Sequence, residues 1–451
     1  MPRTLRRAAE SGLSLIELMI AMVLALLVAA GIISVFISTS SSNRVQTQLA
    51  SLQETGRFAI SRMDGDLAMA NGQYCTNNGG IAKPQLASSG TYLDGLRAPS
   101  VYASNLTGGM YDVTTPMGGS SGGNTYPTDP GAKYTFPSFL SMRGYDCTTT
   151  ACTPIDPHDA IAAIPAMGTA LDDRVPGTAV LTVRYINPSR GWTIGPGRSS
   201  IAGSGNVLSS ITLNPDTTIG EPPASDFRNG DLAMLADCSN AQIFAADDAS
   251  GVISPNTANN HGKPAMQQPS SAPKLFDFTR DFQTVTYYVK LVSINNDGTA
   301  PYTGALYRRV NGGAANPGGS EDEIARGIER LDFKYGVENA NGTTSFLTAA
   351  QVDASTAANC PPPAPTPLST TDPGCLWRSV KSIEVSMLVD GQQPLYTLSA
   401  DEMNYIYSLD GSGNALAAPS AHTIKPSDQG FVNQMLRRQF TALVSLRNFN
   451  P

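Results

Sequence analysis

Between Leu18 and Asn43 the chain carries no Asp, Glu, Lys or Arg. As a helix, a run of that length spans the ~30 Å hydrocarbon layer of a bilayer. Polar Ser38-Thr39-Ser40-Ser41-Ser42 forms its exit. Helical spacing then resumes: Val45, Leu49, Leu52, Ala59, Met63 and Leu67 fall on one stripe. Arg57, Arg62 and Asp66 fall off it, with Arg62 and Asp66 spaced as an i,i+4 ion pair. No Pro interrupts the chain between Arg3 and Lys83. The pattern predicts one helix over residues 13–70, its first half in lipid or a filament core and its second half on a globular domain. Gly31 and Gly56 are the points where it would kink or partly melt.

Further along, the period changes to two. Leu181, Val183 and Tyr185 alternate with Thr182 and Arg184, and residues 284–294 are β-branched and aromatic. Leu331, Phe333, Tyr335 and Val337 alternate with Asp332, Lys334 and Gly336; Ile383, Val385, Met387 and Val389 follow suit, as do Phe440, Ala442, Val444 and Leu446. These read as half-buried antiparallel strands. A short helix is expected over residues 321–329, because Ser320 and Glu323 have capping-box spacing and Ile324 and Ile328 share a face. Residues 187–229, 255–273, 312–319 and 354–373 read as loops, and residues 73–172 carry little periodic signal. The predicted class is α+β, a long, partly transmembrane N-terminal helix packed on an enlarged antiparallel β-sheet head.

Composition agrees with a loop-rich β structure outside the cytoplasm: 15% charged residues, 42 Gly and 32 Pro in 451 residues. The net charge of −7 gives no electrostatic support for nucleic-acid binding. Six cysteines, Cys75, Cys147, Cys152, Cys238, Cys360 and Cys375, suggest disulfides in an exported chain. Cys147–Cys152 and Cys360–Cys375 would each close a short irregular loop, leaving Cys75 with Cys238 as a long-range staple. Zinc is the competing reading, with His158, His261 and His422 as helpers, but the spacing is not CxxC.

Glu17 stands at the entry to the apolar run, behind Arg3, Arg6, Arg7 and Glu10-Ser11-Gly12. A secretory signal places its small-residue cut site after the apolar core. Here Gly12 precedes the core, and Ala29-Ala30-Gly31 is a weak exit. Cleavage after Gly12 would leave the apolar helix on the mature chain. The string Gly12-Leu13-Ser14-Leu15-Ile16-Glu17 closely resembles a type IV prepilin signal. The resemblance implies a prepilin peptidase that cuts after Gly12 and methylates Leu13, where family members most often carry Phe. A carboxylate near the centre of a membrane helix costs about 2–3 kcal/mol or more. The α-ammonium of Leu13 on an adjacent subunit would neutralise it, so Glu17 would set axial register during assembly. The plainer alternative is a signal anchor whose Glu17 snorkels to water. The expected organisation is a leader over 1–12, a transmembrane or filament-core helix over 13–37, its amphipathic continuation over 38–72 and a periplasmic β-rich head over 73–451.

The resemblance narrows further along the chain. Leu52-Gln53-Glu54-Thr55-Gly56-Arg57-Phe58-Ala59 is similar to a helix stretch of PilW-type minor pilins, with Thr55 in place of the usual Asn. Asp66-Leu67-Ala68-Met69-Ala70, Cys75 and Asp237-Cys238-Ser239-Asn240-Ala241-Gln242-Ile243-Phe244 resemble further family segments. So do residues 327–337, Val380-Lys381-Ser382-Ile383-Glu384-Val385, and Leu436-Arg437-Arg438-Gln439-Phe440-Thr441 running on to Leu446-Arg447-Asn448. The resemblance implies a pilin-like fold and a minor subunit of the type IV pilus. Its partners would be prepilin peptidase, other minor pilins and the major pilin. The subunit would prime assembly in a Gram-negative inner membrane and end extracellularly at the fibre tip, beside an adhesin-like protein. Twitching, adhesion and DNA uptake are all roles it admits.

No catalytic constellation, cofactor motif or metal set stands out. His158 lies in a Pro-rich turn, and Gly119-Ser120-Ser121-Gly122-Gly123 lacks the strand–turn–helix context of a nucleophile elbow. Asn295-Asn296-Asp297-Gly298 and Asp410-Gly411-Ser412-Gly413 read as hairpin turns rather than calcium loops. The alternatives are a pseudopilin of a type II secretion system and, more remotely, a membrane-anchored periplasmic enzyme or binding protein.

Overall fold

Helix α1 runs without interruption from Leu15 to Leu67, through both Gly31 and Gly56. The computed structural model describes residues 14–75, 81–84, 91–94, 98–121, 123–237, 240–267, 272–311, 318–356, 359–360, 373–394, 429–431 and 435–447. The chain divides into two units, Met1–Ser51 and Leu52–Pro451. In the first, the apolar side chains of α1 are exposed, Leu15 at 76% and Phe36 at 72% among them. Among the described residues, α1 alone is long and apolar enough to cross a membrane.

In the second unit Leu52, Gly56, Ala59, Met63 and Leu67 are buried at helical spacing and, Gly56 apart, enter the main core with Ala68 and Ala70. The expected stripe is therefore real from Leu52 onward. The helix continues through Gly56, where it makes a close approach to the sheet. A Cβ there would come within 2.7 Å of the Phe440 ring, on the strand Met435–Ser445.

That core lies against two antiparallel sheets. One has six strands in the order Ser320–Arg326, Tyr302–Asn311, Phe282–Ser293, Val180–Ile186, Met142–Cys147, Cys152–Thr153. The other has four, in the order Thr344–Leu347, Ile328–Glu338, Val380–Pro394, Met435–Ser445. Alternate residues of the long central strands point into the core: Val285, Tyr287, Val289 and Leu291 from one sheet, Leu331, Phe333, Tyr335 and Val337 from the other. Every strand expected from the period of two is present. The head is thus sheet-rich and the class α+β.

Several expectations fail. Residues 321–329 are not helical: Ser320–Arg326 is an edge strand of the six-stranded sheet, and Ile328 begins a strand of the four-stranded one. Gly327, at φ 80°, turns the corner between them in a conformation that glycine adopts without steric cost. Strand pairing over Ser320↔Val310 to Arg326↔Ala305 overrides the local capping signal. The expectation of half-buried strands holds for Met435–Ser445 but not for two of the others. Val180–Ile186 and Ile328–Glu338 are buried throughout. Arg184 donates to the Leu140 carbonyl at 3.2 Å and the Asp112 carbonyl at 2.8 Å, so the weakly periodic segment after residue 98 supplies its outer face with acceptors.

A third sheet follows the order Trp192–Thr193, Lys274–Asp277, Leu232–Ala236, Ala241–Asp248, Val252–Pro255, Val207–Thr212, Ser200–Ser204. Both its faces are apolar: Met234 and Ile243 enter one cluster, Leu235 and Phe244 another. Residues 187–229, expected as loop, therefore contribute three of its strands.

Gly56→Ala should destabilise the full chain by about 1–3 kcal/mol through overpacking against Phe440. Gly65→Ala, whose Cβ would meet nothing within 4 Å, should be neutral or stabilise by up to about 1 kcal/mol. Denaturant unfolding in detergent measures both. Equal effects would show that residue 56 is not pressed against the sheet.

Candidate functional site

Of the residues expected to direct processing and assembly, Gly12 and Leu13 lie outside the described residues. Glu17 is exposed in the first turn of α1. Its Oε2 accepts the Ser14 amide at 3.2 Å, and the Ser14 Oγ accepts the Ile16 amide at 3.3 Å. Helix N-termini leave amides without intrahelical partners and carry partial positive charge, so an acidic side chain here has a local role. The Ser14-x-x-Glu17 spacing was the signal for it. Within one chain, then, the carboxylate serves its own helix end.

A second acidic side chain of α1 has the opposite environment. Asp66 is buried, 7% exposed. Its Oδ1 accepts the Tyr185 hydroxyl at 2.7 Å and Arg308 Nη2 at 3.0 Å; its Oδ2 accepts Arg308 Nε at 2.6 Å and the Tyr287 hydroxyl. The helix end is thus tied to three strands by a two-pronged ion pair and two phenols. Arg62, the partner expected from sequence, is exposed. Asp66 falls seven residues after Ala59 and so belongs on the buried face, where a guanidinium from the sheet replaces a surface i,i+4 contact. Burial pushes the Asp66 carboxyl up; the hydrogen bonds and charge of Arg308, with Tyr287 and Tyr185, outweigh that and hold it below the usual carboxylate value.

Cys147 and Cys152 are bonded across the hairpin of Met142–Cys147 with Cys152–Thr153, and Cys360 is bonded to Cys375. Cys75 is disulfide-bonded; the Cys75–Cys238 pairing rests on Cys238, which lies outside the described residues. The two described histidines have separate partners. His158 Nδ1 lies 2.7 Å from the Ile164 carbonyl, His261 Nε2 lies 2.7 Å from Asp129 Oδ2, and His422 lies outside the described residues. Asp297 closes the Phe282–Ser293 hairpin, accepting the Ser293 hydroxyl at 2.7 Å and the Thr299 amide at 2.9 Å. These hydrogen bonds hold its carboxyl down at about 2. Residues 410–413 lie outside the described residues.

Because the folded pKa of Asp66 lies below its unfolded value of about 3.9, its contribution to stability is fully present above that value and is lost as pH falls through the depressed folded one. Asp66→Ala should cost about 3–5 kcal/mol at neutral pH, since it leaves the Arg308 guanidinium without its counter-charge. It should also flatten the acid limb of stability against pH. Unfolding curves of both proteins between pH 2 and 7 check this; a loss under about 1 kcal/mol would show that the contact is incidental.

Residues 286–448 match the family model of the type IV pilus-assembly protein W, PilW. No curated protein and no solved structure gives a significant match to the chain. The matched span begins in the strand Phe282–Ser293 and ends past Met435–Ser445, so it contains Arg308, the edge strand, the Gly327 corner and the whole four-stranded sheet. Helix α1 lies outside it and rests on its own residues. Over residues 286–448 the chain is similar to the PilW family of type IV pilus-assembly proteins.

Proposed function

We propose that this chain is a minor pilin, anchored in the inner membrane by residues 13–37 with its head in the periplasm. It is cut after Gly12 and methylated at Leu13 by prepilin peptidase. It primes pilus assembly with other minor pilins and is incorporated into the fibre, at its tip. The observation that carries this is the exposed apolar first half of α1 with Glu17 in its first turn. The PilW match supports the pilus over the secretion-system alternative, which shares the helix and the acidic residue.

The mechanism follows from the electrostatics of Glu17. Before assembly its carboxylate accepts the Ser14 amide and lies at the edge of the apolar run. On packing beside another subunit it meets the Leu13 ammonium of that neighbour, and the low dielectric strengthens the attraction. A helix shifted by one turn leaves both charges unpaired, at a cost of several kcal/mol. The pair therefore fixes axial register while apolar contacts supply the adhesion. Moving a helix from lipid into the first turn of a filament has few neighbours to receive it, and a preassembled minor complex supplies them. The role is structural rather than catalytic.

Glu17→Ala should be cleaved normally after Gly12 yet accumulate in the inner membrane instead of sheared fibres. Immunoblots of membrane and sheared-pilus fractions read this directly. Normal incorporation of the variant would eliminate the charge-pairing mechanism.

A further inference from the structure

Arg174 is fully buried, and its guanidinium lies against a disulfide. Nη1 is 3.3 Å from Cys147 Sγ and 3.4 Å from Cys152 Sγ. Nη2 donates to Asp156 Oδ1 at 2.5 Å and Nε to the Pro165 carbonyl at 3.2 Å, so the group is fixed in place. A disulfide sulfur has little use for a cation, whereas a thiolate is stabilised by one. The two sulfurs also differ. Cys147 is buried, at 1% exposed, while Cys152 is half-buried. Asp156 Oδ2 lies 3.7 Å from Cys152 Sγ, where it opposes negative charge. Cys147 Sγ has the Tyr145 carbonyl at 3.8 Å, farther than the guanidinium. The second disulfide offers the contrast. Cys360 and Cys375 are both buried, and Cys375 Sγ faces oxygen, the Thr356 carbonyl at 3.1 Å and the Ser355 hydroxyl at 3.8 Å.

We propose that Cys147–Cys152 is a thiol–disulfide exchange site for a dithiol partner, with Cys152 as the attacked sulfur, Cys147 as the leaving sulfur and Arg174 as the group that receives it. A thiolate of the dithiol attacks Cys152 Sγ. The Sγ–Sγ bond breaks, its electron pair goes to Cys147 Sγ beside Arg174 Nη1, and a mixed disulfide forms on Cys152. The second thiol of the dithiol, deprotonated, attacks its own sulfur in that mixed disulfide and releases Cys152. The cysteine pair gains two electrons, the dithiol becomes a disulfide, and the two protons of the dithiol pass to solvent or the released thiolates. Lower basicity of the leaving thiol speeds the first step and favours the reduced pair. Arg174 is a positioning residue for this chemistry and forms no bond.

The test is a dithiothreitol series on the full chain in detergent, with the thiols trapped by alkylation and each cysteine peptide weighed. Cys147–Cys152 should be half-reduced at about tenfold lower dithiothreitol than Cys360–Cys375, the size expected for a neighbouring cation. Glutathione, a monothiol, should form its mixed disulfide on Cys152 and leave Cys147 free. Arg174→Gln should raise the dithiothreitol needed for Cys147–Cys152 by about tenfold; mere loosening of the hairpin would lower it. Where that variant fails to fold, the reduced wild-type protein decides: the alkylation rate of Cys147 should rise at lower pH than that of Cys375. Simultaneous reduction of the two bridges, glutathione on Cys147, easier reduction in Arg174→Gln, or equal alkylation profiles would each overturn the proposal.

Discussion

The first half of α1 presents apolar side chains that the described residues leave exposed. Leaving a Leu or Ile in water rather than buried costs about 1.5–3 kcal/mol per side chain, and from Leu15 to Ile37 large apolar residues of this kind are exposed throughout. Lipid, or the packed helices of other subunits, would remove that cost, and the proposed anchoring and filament roles begin from this. The same helix continues to Leu67, and from Leu52 onward its buried stripe is part of the head's main core. One element thus carries a segment that requires an external environment and a segment that the chain satisfies itself.

Two carboxylates of that helix express the same division in charge. Asp66 has its partners within the fold: Arg308 on two oxygens, Tyr185 and Tyr287 on one each. The geometry compensates for burial, and the carboxyl stays ionised. Among the described residues Glu17 has one amide of its own helix end, at 3.2 Å. A single neutral hydrogen bond is a weak substitute for a counter-charge once water is removed. The proposed assembly step supplies the missing cation from the neighbouring subunit, so that Glu17 becomes to the filament what Asp66 is to the head.

Much of the fold was legible because its signals were local and periodic. The stripe Leu52, Ala59, Met63, Leu67 and the alternations around Val183, Val285, Phe333, Val385 and Val444 each mark an element that the structure contains. What was not legible depended on partners far along the chain. Asp66 pointed to Arg62 four residues away, yet it is bound by Arg308, 242 residues away. Ser320 and Glu323 had the spacing of a helix cap, yet the neighbouring strand Tyr302–Asn311 and the Gly327 corner make that segment an edge strand. The polar alternates Thr182 and Arg184 pointed to solvent, yet residues 98–160, almost without periodicity, supply acceptors for Arg184. The cation beside Cys147–Cys152 was equally hidden, since Arg174 lies 22 residues past Cys152 with a loop between.

In the proposed function α1 becomes the N-terminus of the mature protein and enters a filament. The most direct measurement is the mass of the N-terminal peptide isolated from the native membrane. A methylated peptide beginning at Leu13 is expected. A peptide beginning at Met1 or Pro2 would contradict it, leaving α1 a plain signal anchor and Glu17 without an ammonium to meet.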